Sequence, residues 1–313
     1  MTDCGGGIYC IDAHYEGDGV DSVCLLLSQG RAALIETANN ASLGYTLAAM
    51  ESLGVGRGDV DFVCVTHVHL DHAGGAGSYM REFPNARLVL HPRGARHMAD
   101  PSKLMESVRS VYGGAETERL YGELVPVPRK RMLTPADGER LSFGGMTLLC
   151  LNAPGHAEHQ MIFFEEGARA LFAGDAFGIS YPWMKDRGGR RWAFPSTSPV
   201  QFAPEAMAST IDRILSLQPA RVFLTHFGEI GEIEGNAALL KEGIKKYVDI
   251  AIAAGGDEGK IRAGLSRLYE EMASERGTAL PAGTPEASAP LDVALNAQGL
   301  AFWYKTVYAR DKG

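Results

Sequence analysis

The apolar positions of this chain come in short runs, and the runs fall into two blocks. Residues 8–12 and 22–28 read as strands, the second through Val23-Cys24-Leu25-Leu26-Leu27. Gln29-Gly30 makes a tight turn into 31–36, so these runs form a hairpin. From 41 to 53 the spacing becomes helical, with Leu43, Leu47, Met50 and Leu53 on one stripe and Gly54 ending it. Residues 61–65 read as a buried strand, 87–91 as another, and 101–112 as a helix with Pro101 in its first turn. Pro126, Pro128 and Pro135 then mark a crossover between the blocks. Strand signals resume at 139–143 and 146–152, joined by Gly144-Gly145, and continue at 160–165 and 169–173. An amphipathic helix at 204–217 and a last strand at 221–225 follow. Two mixed sheets packed face to face with helices outside would bury such strands on both sides. Periodicity alone is equally compatible with other α/β layers. After 231 the pattern is helical, at 235–253, 257–275 and 291–307, with an Ala-, Pro- and Gly-rich loop over 277–290. The expected organisation is a domain over 1–230 with a helical extension over 231–313 packed on it. The extension reads as a cover for an apolar face, since helical stripes are usually core; a role in substrate specificity is the other reading.

One stretch departs from this patterning. After the strand at 61–65 the chain reads Thr66-His67-Val68-His69-Leu70-Asp71-His72. Gly74, Gly75 and Gly77 follow, and a helix is predicted to open at Ser78. These polar residues fall on a strand-to-helix turn, where a rigid scaffold can aim several side chains at one point. His67 and His69 suit one metal; Asp71 and His72, past the turn, suit a second. Imidazole is a preferred ligand of zinc, and carboxylate oxygens complete such sites. The bland alternative is a polar loop with chance histidines. With nine histidines in 313 residues, three beside an aspartate in so short a stretch is improbable by chance.

His67-Val68-His69-Leu70-Asp71-His72 resembles the signature of the metallo-β-lactamase fold, in its hydrolase form rather than its antibiotic-resistance form. The remaining motifs of that family follow in the family's order: Pro154-Gly155-His156, Gly174-Asp175 and Thr225-His226. The resemblance implies an α/β (α+β) fold, a four-layer αββα sandwich. It implies that His67, His69 and His156 hold one metal, that Asp71, His72 and His226 hold the other, and that Asp175 bridges them. The cofactors expected are two divalent ions, zinc foremost, with iron or manganese as alternatives. Two such ions, about 3.5–4 Å apart, lower the pKa of a shared water and clamp the charge that develops on attack. Asp71 is also the candidate catalytic residue, orienting the attacking hydroxide or taking its proton. Asp100-Pro101-Ser102-Lys103 and Pro126-Val127-Pro128 are similar to a cytosolic subgroup of the fold. The metal motifs are similar to glyoxalase II-type thioesterases, without a matching glutathione-binding segment. The expected function is a binuclear hydrolase using a metal-bound hydroxide on a small ester, thioester or lactone. The alternative is a persulfide dioxygenase with a single iron, a group of the same fold with a similar ligand set. Di-iron relatives carry His-x-Glu where this chain has His67-Val68-His69.

Composition narrows the partners. The net charge of −8 and a pI near 5.6 disfavour a nucleic-acid backbone, so the expected partner is a small-molecule substrate. Five cysteines form no Cys-x-x-Cys pair, and Cys24, Cys64 and Cys150 lie inside apolar runs. That pattern fits a reducing cytoplasm. No export signal and no membrane span are predicted. The loop over 177–202 is placed to wall a pocket, with Tyr181, Trp183 and Trp192 as candidate substrate contacts and an arginine for a substrate carboxylate. The competing reading packs these aromatics against the sandwich. His159 either fixes a metal-bound imidazole or is structural, and His14, His91 and His97 read as ordinary polar residues.

Overall fold

In the computed structural model, which describes residues 1–311, the apolar runs form two mixed sheets flanked by helices. The chain divides into two compact units. The first comprises Met1–Asn152, His159–Gly174 and Thr225–Gly228. The second comprises Ala153–Glu158, Asp175–Leu224 and the chain from Glu229 onward.

The seven-stranded sheet lies in the first unit. Its strands β1 (Thr2–Asp3), β2 (Ile8–Asp12), β3 (Ser22–Ser28), β4 (Arg31–Ile35), β5 (Val60–Cys64), β6 (Arg87–Val89) and β7 (Met132–Leu133) stand in sequence order. β1 to β4 pair antiparallel and β4 to β7 parallel. A two-residue turn can only reverse the chain, as Gln29-Gly30 does, whereas a helix returns it to the same end of the sheet. The returning helices are α1 (Leu43–Ser52), then α2 (Leu70–Ala73) and α3 (Ala76–Glu82), then α4 (Ala95–Ala99), α5 (Ser102–Tyr112) and α6 (Gly114–Tyr121). Leu25, Leu34, Val63 and Leu88 of the strands join one core with Met50, Tyr79 and Phe83 of the helices.

Strands β8 (Glu139–Phe143), β9 (Met146–Asn152), β10 (Met161–Glu165), β11 (Ala170–Gly174), β12 (Arg221–Leu224) and β13 (Gly228–Ile230) make the six-stranded second sheet. Within the first unit β8 to β11 run as an antiparallel meander. Gly144 and Gly145 both have positive φ, 49° and 84°, as a two-residue turn of the favoured hand requires. A Cβ on Gly144 would also lie 2.0 Å from the Ser28 carbonyl. Close by, Phe62 of the first sheet meets Phe143 of the second edge-on, at 6.1 Å between centroids. The two sheets therefore pack face to face within the first unit. The second unit carries α7 (Pro204–Ser216), α8 (Ile233–Ala253), α9 (Glu258–Arg276), α10 (Pro285–Ser288) and α11 (Pro290–Trp303). The Asp257 side chain caps α9 at its start, and Gly277 ends it in the left-handed region.

Some elements differ from the sequence expectation. The His-Asp stretch contains a helical turn of its own, α2, and the following helix starts at Ala76 rather than Ser78. Helix α6 was not foreshadowed; it buries only Thr117, Leu120 and Tyr121, too few positions to make a periodic stripe. Strand β7 is two residues long behind a proline run, below the length at which alternation can be read.

Candidate metal centre

Strand β5 delivers the chain to this site. Its extension at Val65 donates to the Val89 carbonyl, and the Thr66 carbonyl accepts from Met161 N at 2.7 Å. The backbone is thus tied on both sides just before His67. His67 and His72 are fully buried, and His69 and Asp71 partly so.

Within the first unit the imidazoles are held from behind by buried acceptors. Glu36, 2% exposed, follows β4 with a left-handed backbone, φ 71°. Its carboxylate accepts from the Thr66 hydroxyl, from Thr66 N at 3.3 Å, from His72 Nδ1 at 3.1 Å and from the Thr225 hydroxyl at 3.2 Å. The Thr66 proton is committed to Glu36, so its oxygen accepts from His67 Nδ1 at 3.1 Å. Asp21, fully buried, holds His226 Nδ1 at 2.5 Å. Burial pushes the Asp21 carboxyl up to about 6, against the opposing pull of His226. These partners fix His67, His72 and His226 as Nδ1–H tautomers, leaving each Nε2 lone pair for another use. His72 Nε2 and His226 Nε2 both lie 3.6 Å from Asp71 Oδ2. One ligand atom from each of these three residues falls within 4.8 Å of the others. His67 Nε2 faces His69 Nδ1 at 2.8 Å.

The second unit carries His156 and Asp175, both 3% exposed. His156 Nδ1 donates to the Ser196 carbonyl at 3.2 Å, which sets the same tautomer. Its Nε2 lies 3.5 Å from Asp175 Oδ2, and that oxygen accepts from the Ser196 hydroxyl at 3.2 Å. Gly174 precedes Asp175 at φ 53°, and a Cβ there would strike the Thr66 hydroxyl at 2.4 Å. Only glycine fits that corner.

His159 stacks near His67, at 6.1 Å and 19°, and meets His69 edge-on at 5.5 Å. Its Nδ1 accepts from Val68 N at 3.4 Å. His14 lies 2.7 Å from Asp18, and His91 accepts from Arg93 N. In the loop over 177–202, Tyr181 stacks on Trp183 at 6.1 Å and donates to Asp292 at 2.9 Å. Trp192 is buried; its indole donates to the Thr278 hydroxyl at 2.8 Å, and Arg276 lies over its ring. The loop cations also have internal partners: Arg187 donates to the Glu275 carbonyl, Arg191 to the Glu229 carbonyl and Arg190 to Asp186.

Sequence reasoning passed over Glu36, Asp21, Thr66, Thr225 and Ser196. One signal existed for Glu36, a carboxylate closing the buried run Ala32-Ala33-Leu34-Ile35. Asp21 and Ser196 lie in stretches with no motif.

In the first unit three imidazoles with Nδ1 anchored and Nε2 presented, beside Asp71, make a donor set suited to divalent cations of the zinc type, and the second unit presents His156 beside Asp175 in the same way. The metallo-beta-lactamase superfamily profile matches residues 17–226, and the chain belongs to that superfamily. It is 26% identical over 204 residues to the metallo-beta-lactamase fold-containing protein ST1585 of Sulfurisphaera tokodaii, covering 63% of this chain and 73% of that one. It is 23% identical over 169 residues to glyoxylase B2 of Dictyostelium discoideum, covering 53% and 49%. Among solved structures, the metallo-beta-lactamase family protein TTHA1429 of Thermus thermophilus superposes with a TM-score of 0.68 at 22% identity. That match covers 99% of this chain and 95% of the other. Among the described residues no helix is long and apolar enough to cross a membrane.

Proposed function

We propose that the chain is a metal-dependent hydrolase acting on a small ester, thioester or lactone. In this reading His67, His69 and His156 would hold one divalent ion and Asp71, His72 and His226 a second, with Asp175 as a further carboxylate ligand. The observation that carries it is the convergence of His72 Nε2 and His226 Nε2 on Asp71 Oδ2, each ring backed by a buried carboxylate. Bound cations would acidify a water and neutralise charge developing on the attacked carbonyl. The chain's own residues then have separate tasks. Glu36, Asp21 and the Ser196 carbonyl hold the imidazole tautomers. Asp71, the most exposed of the three converging groups at 29%, would take a proton from the attacking water. The resemblance of the metal motifs to glyoxalase II-type thioesterases supports a thioester among the substrates to screen first.

Elemental analysis of protein purified without added metal or chelator tests this directly. About two zinc ions per chain are expected, with turnover of a lactone or thioester panel that is lost in His69→Ala and Asp175→Ala. One iron per chain with persulfide-dependent oxygen uptake would replace the hydrolase with an oxidative enzyme.

A further inference from the structure

The helices after 231 hold more than an apolar face. Residues 195–198 form a strap that touches the His156–Asp175 pair three times. The Ser196 carbonyl accepts from His156 Nδ1, the Ser196 hydroxyl donates to Asp175, and the Ser198 hydroxyl donates to the His156 carbonyl at 2.6 Å. The strap is itself gripped by three helices of the second unit. Asn296 of α11 accepts from Thr197 N at 2.6 Å through its side-chain oxygen, and its backbone carbonyl accepts from the Thr197 hydroxyl at 3.3 Å. Tyr247 of α8 donates to the Pro195 carbonyl at 2.9 Å. Tyr269 of α9 bonds the Tyr247 hydroxyl and accepts from Asn296 Nδ2 at 2.8 Å.

The direction of this chain follows from its ends. A carbonyl can only accept, so Tyr247 donates to Pro195. Tyr269 must then donate to Tyr247 and accept from the Asn296 amide. Both phenol protons are thereby assigned, and burial pushes both phenols well up, so they stay neutral donors. All three residues are 5% exposed or less. Two glycines let the helices come this close. A Cβ on Gly299 would lie 2.5 Å from the Ser198 carbonyl, and one on Gly243 2.9 Å from the Pro195 ring.

We propose that Asn296, with Tyr247 and Tyr269, is a positioning device that sets the His156 tautomer and the Asp175 orientation through the 195–198 strap. The C-terminal helices thereby belong to the function of the centre. This role rests on His156 and Asp175 being metal ligands. Asn296 and the tyrosines act through the strap, which they hold at Pro195 and Thr197.

The test compares Asn296→Ala and Tyr269→Phe with Leu265→Ala, which opens the buried face of α9 and removes no hydrogen-bonding side-chain atom. Nitrogen-15 NMR of the histidine side chains, on metal-free protein, reads the tautomer of His156. A pure Nδ1–H form is expected in the unaltered protein and in Leu265→Ala, and a tautomer mixture in the two strap variants. Tyr269→Phe keeps the ring, so its packing is retained if the alanine variant folds poorly. Calorimetric zinc titration should then show one of two binding steps weakened about tenfold or more in the strap variants, the other unchanged. An unchanged His156 tautomer in folded Tyr269→Phe overturns the proposal, as does an equal change in Leu265→Ala. If the unaltered protein binds no divalent ion, the ligand assignment falls, and with it the functional meaning of the device. If it binds two and the strap variants bind them equally well, only the device falls.

Discussion

His72 and His226 are each backed by a buried carboxylate, whereas His156 is backed by a peptide carbonyl and Asp175 by a hydroxyl. Hydrogen bonds to a charged partner are roughly twice as strong as neutral ones, and a buried charge that loses its partners is costly. In the first unit, therefore, rigidity is concentrated in single side chains, above all Glu36 with its four donors. In the second unit it is spread over the strap and the helices that grip it. The first arrangement breaks at one residue; the second loosens by degrees.

The sharpest way to break this contrast is Glu36→Ala. It leaves the donors of Thr66, His72 and Thr225 buried without their common acceptor and, at about 1 kcal/mol or more for each, is expected to lower unfolding free energy by about 3 kcal/mol or more in urea titration. Ser196→Ala, its counterpart in the second unit, should cost only about 1 kcal/mol, and equal losses would erase the distinction. Asp21→Asn keeps an acceptor for His226 but removes the charge. Zinc affinity measured against a chromophoric chelator should fall about 10–100-fold, while stability changes little, because the desolvated charge goes and the acceptor for His226 stays. Thr225→Val deletes one of the Glu36 donors and should cost about 1 kcal/mol. The smallest effect belongs to the exposed Arg140–Glu166 pair: Arg140→Ala should shift stability by less than about 0.5 kcal/mol. A larger shift would mean that surface charge, rather than buried partners, governs the sheet.

Much of this was readable beforehand where the signal was local. The hairpins at Gln29-Gly30 and Gly144-Gly145 could be placed because a two-residue turn leaves a mark in residues that are neighbours in sequence. Histidines crowded into residues 67–72 were legible for the same reason. Helix α6 and strand β7 were not, since one has too few buried positions and the other too few residues to show a period. Glu36 was missed although it holds much of the site together. Its importance lies in His72, Thr66 and Thr225, and Thr225 is 189 positions away.

The sequence by itself determined the hairpins and the longer strands and helices, the strand-to-helix turn that carries the histidine stretch, and the kinds of donor available to a cation. Only the tertiary structure decided which imidazole nitrogen each histidine presents. That choice is made by the group behind the ring: Thr66 for His67, Glu36 for His72, Asp21 for His226 and the Ser196 carbonyl for His156. A tautomer follows from a hydrogen bond, and all of these but one join residues far apart in the chain, so local pattern could not reveal them. The part played by Asn296, Tyr247 and Tyr269 has the same origin: apolar stripes predict that helices pack, while the polar atoms buried within that packing are specified only when the helices meet.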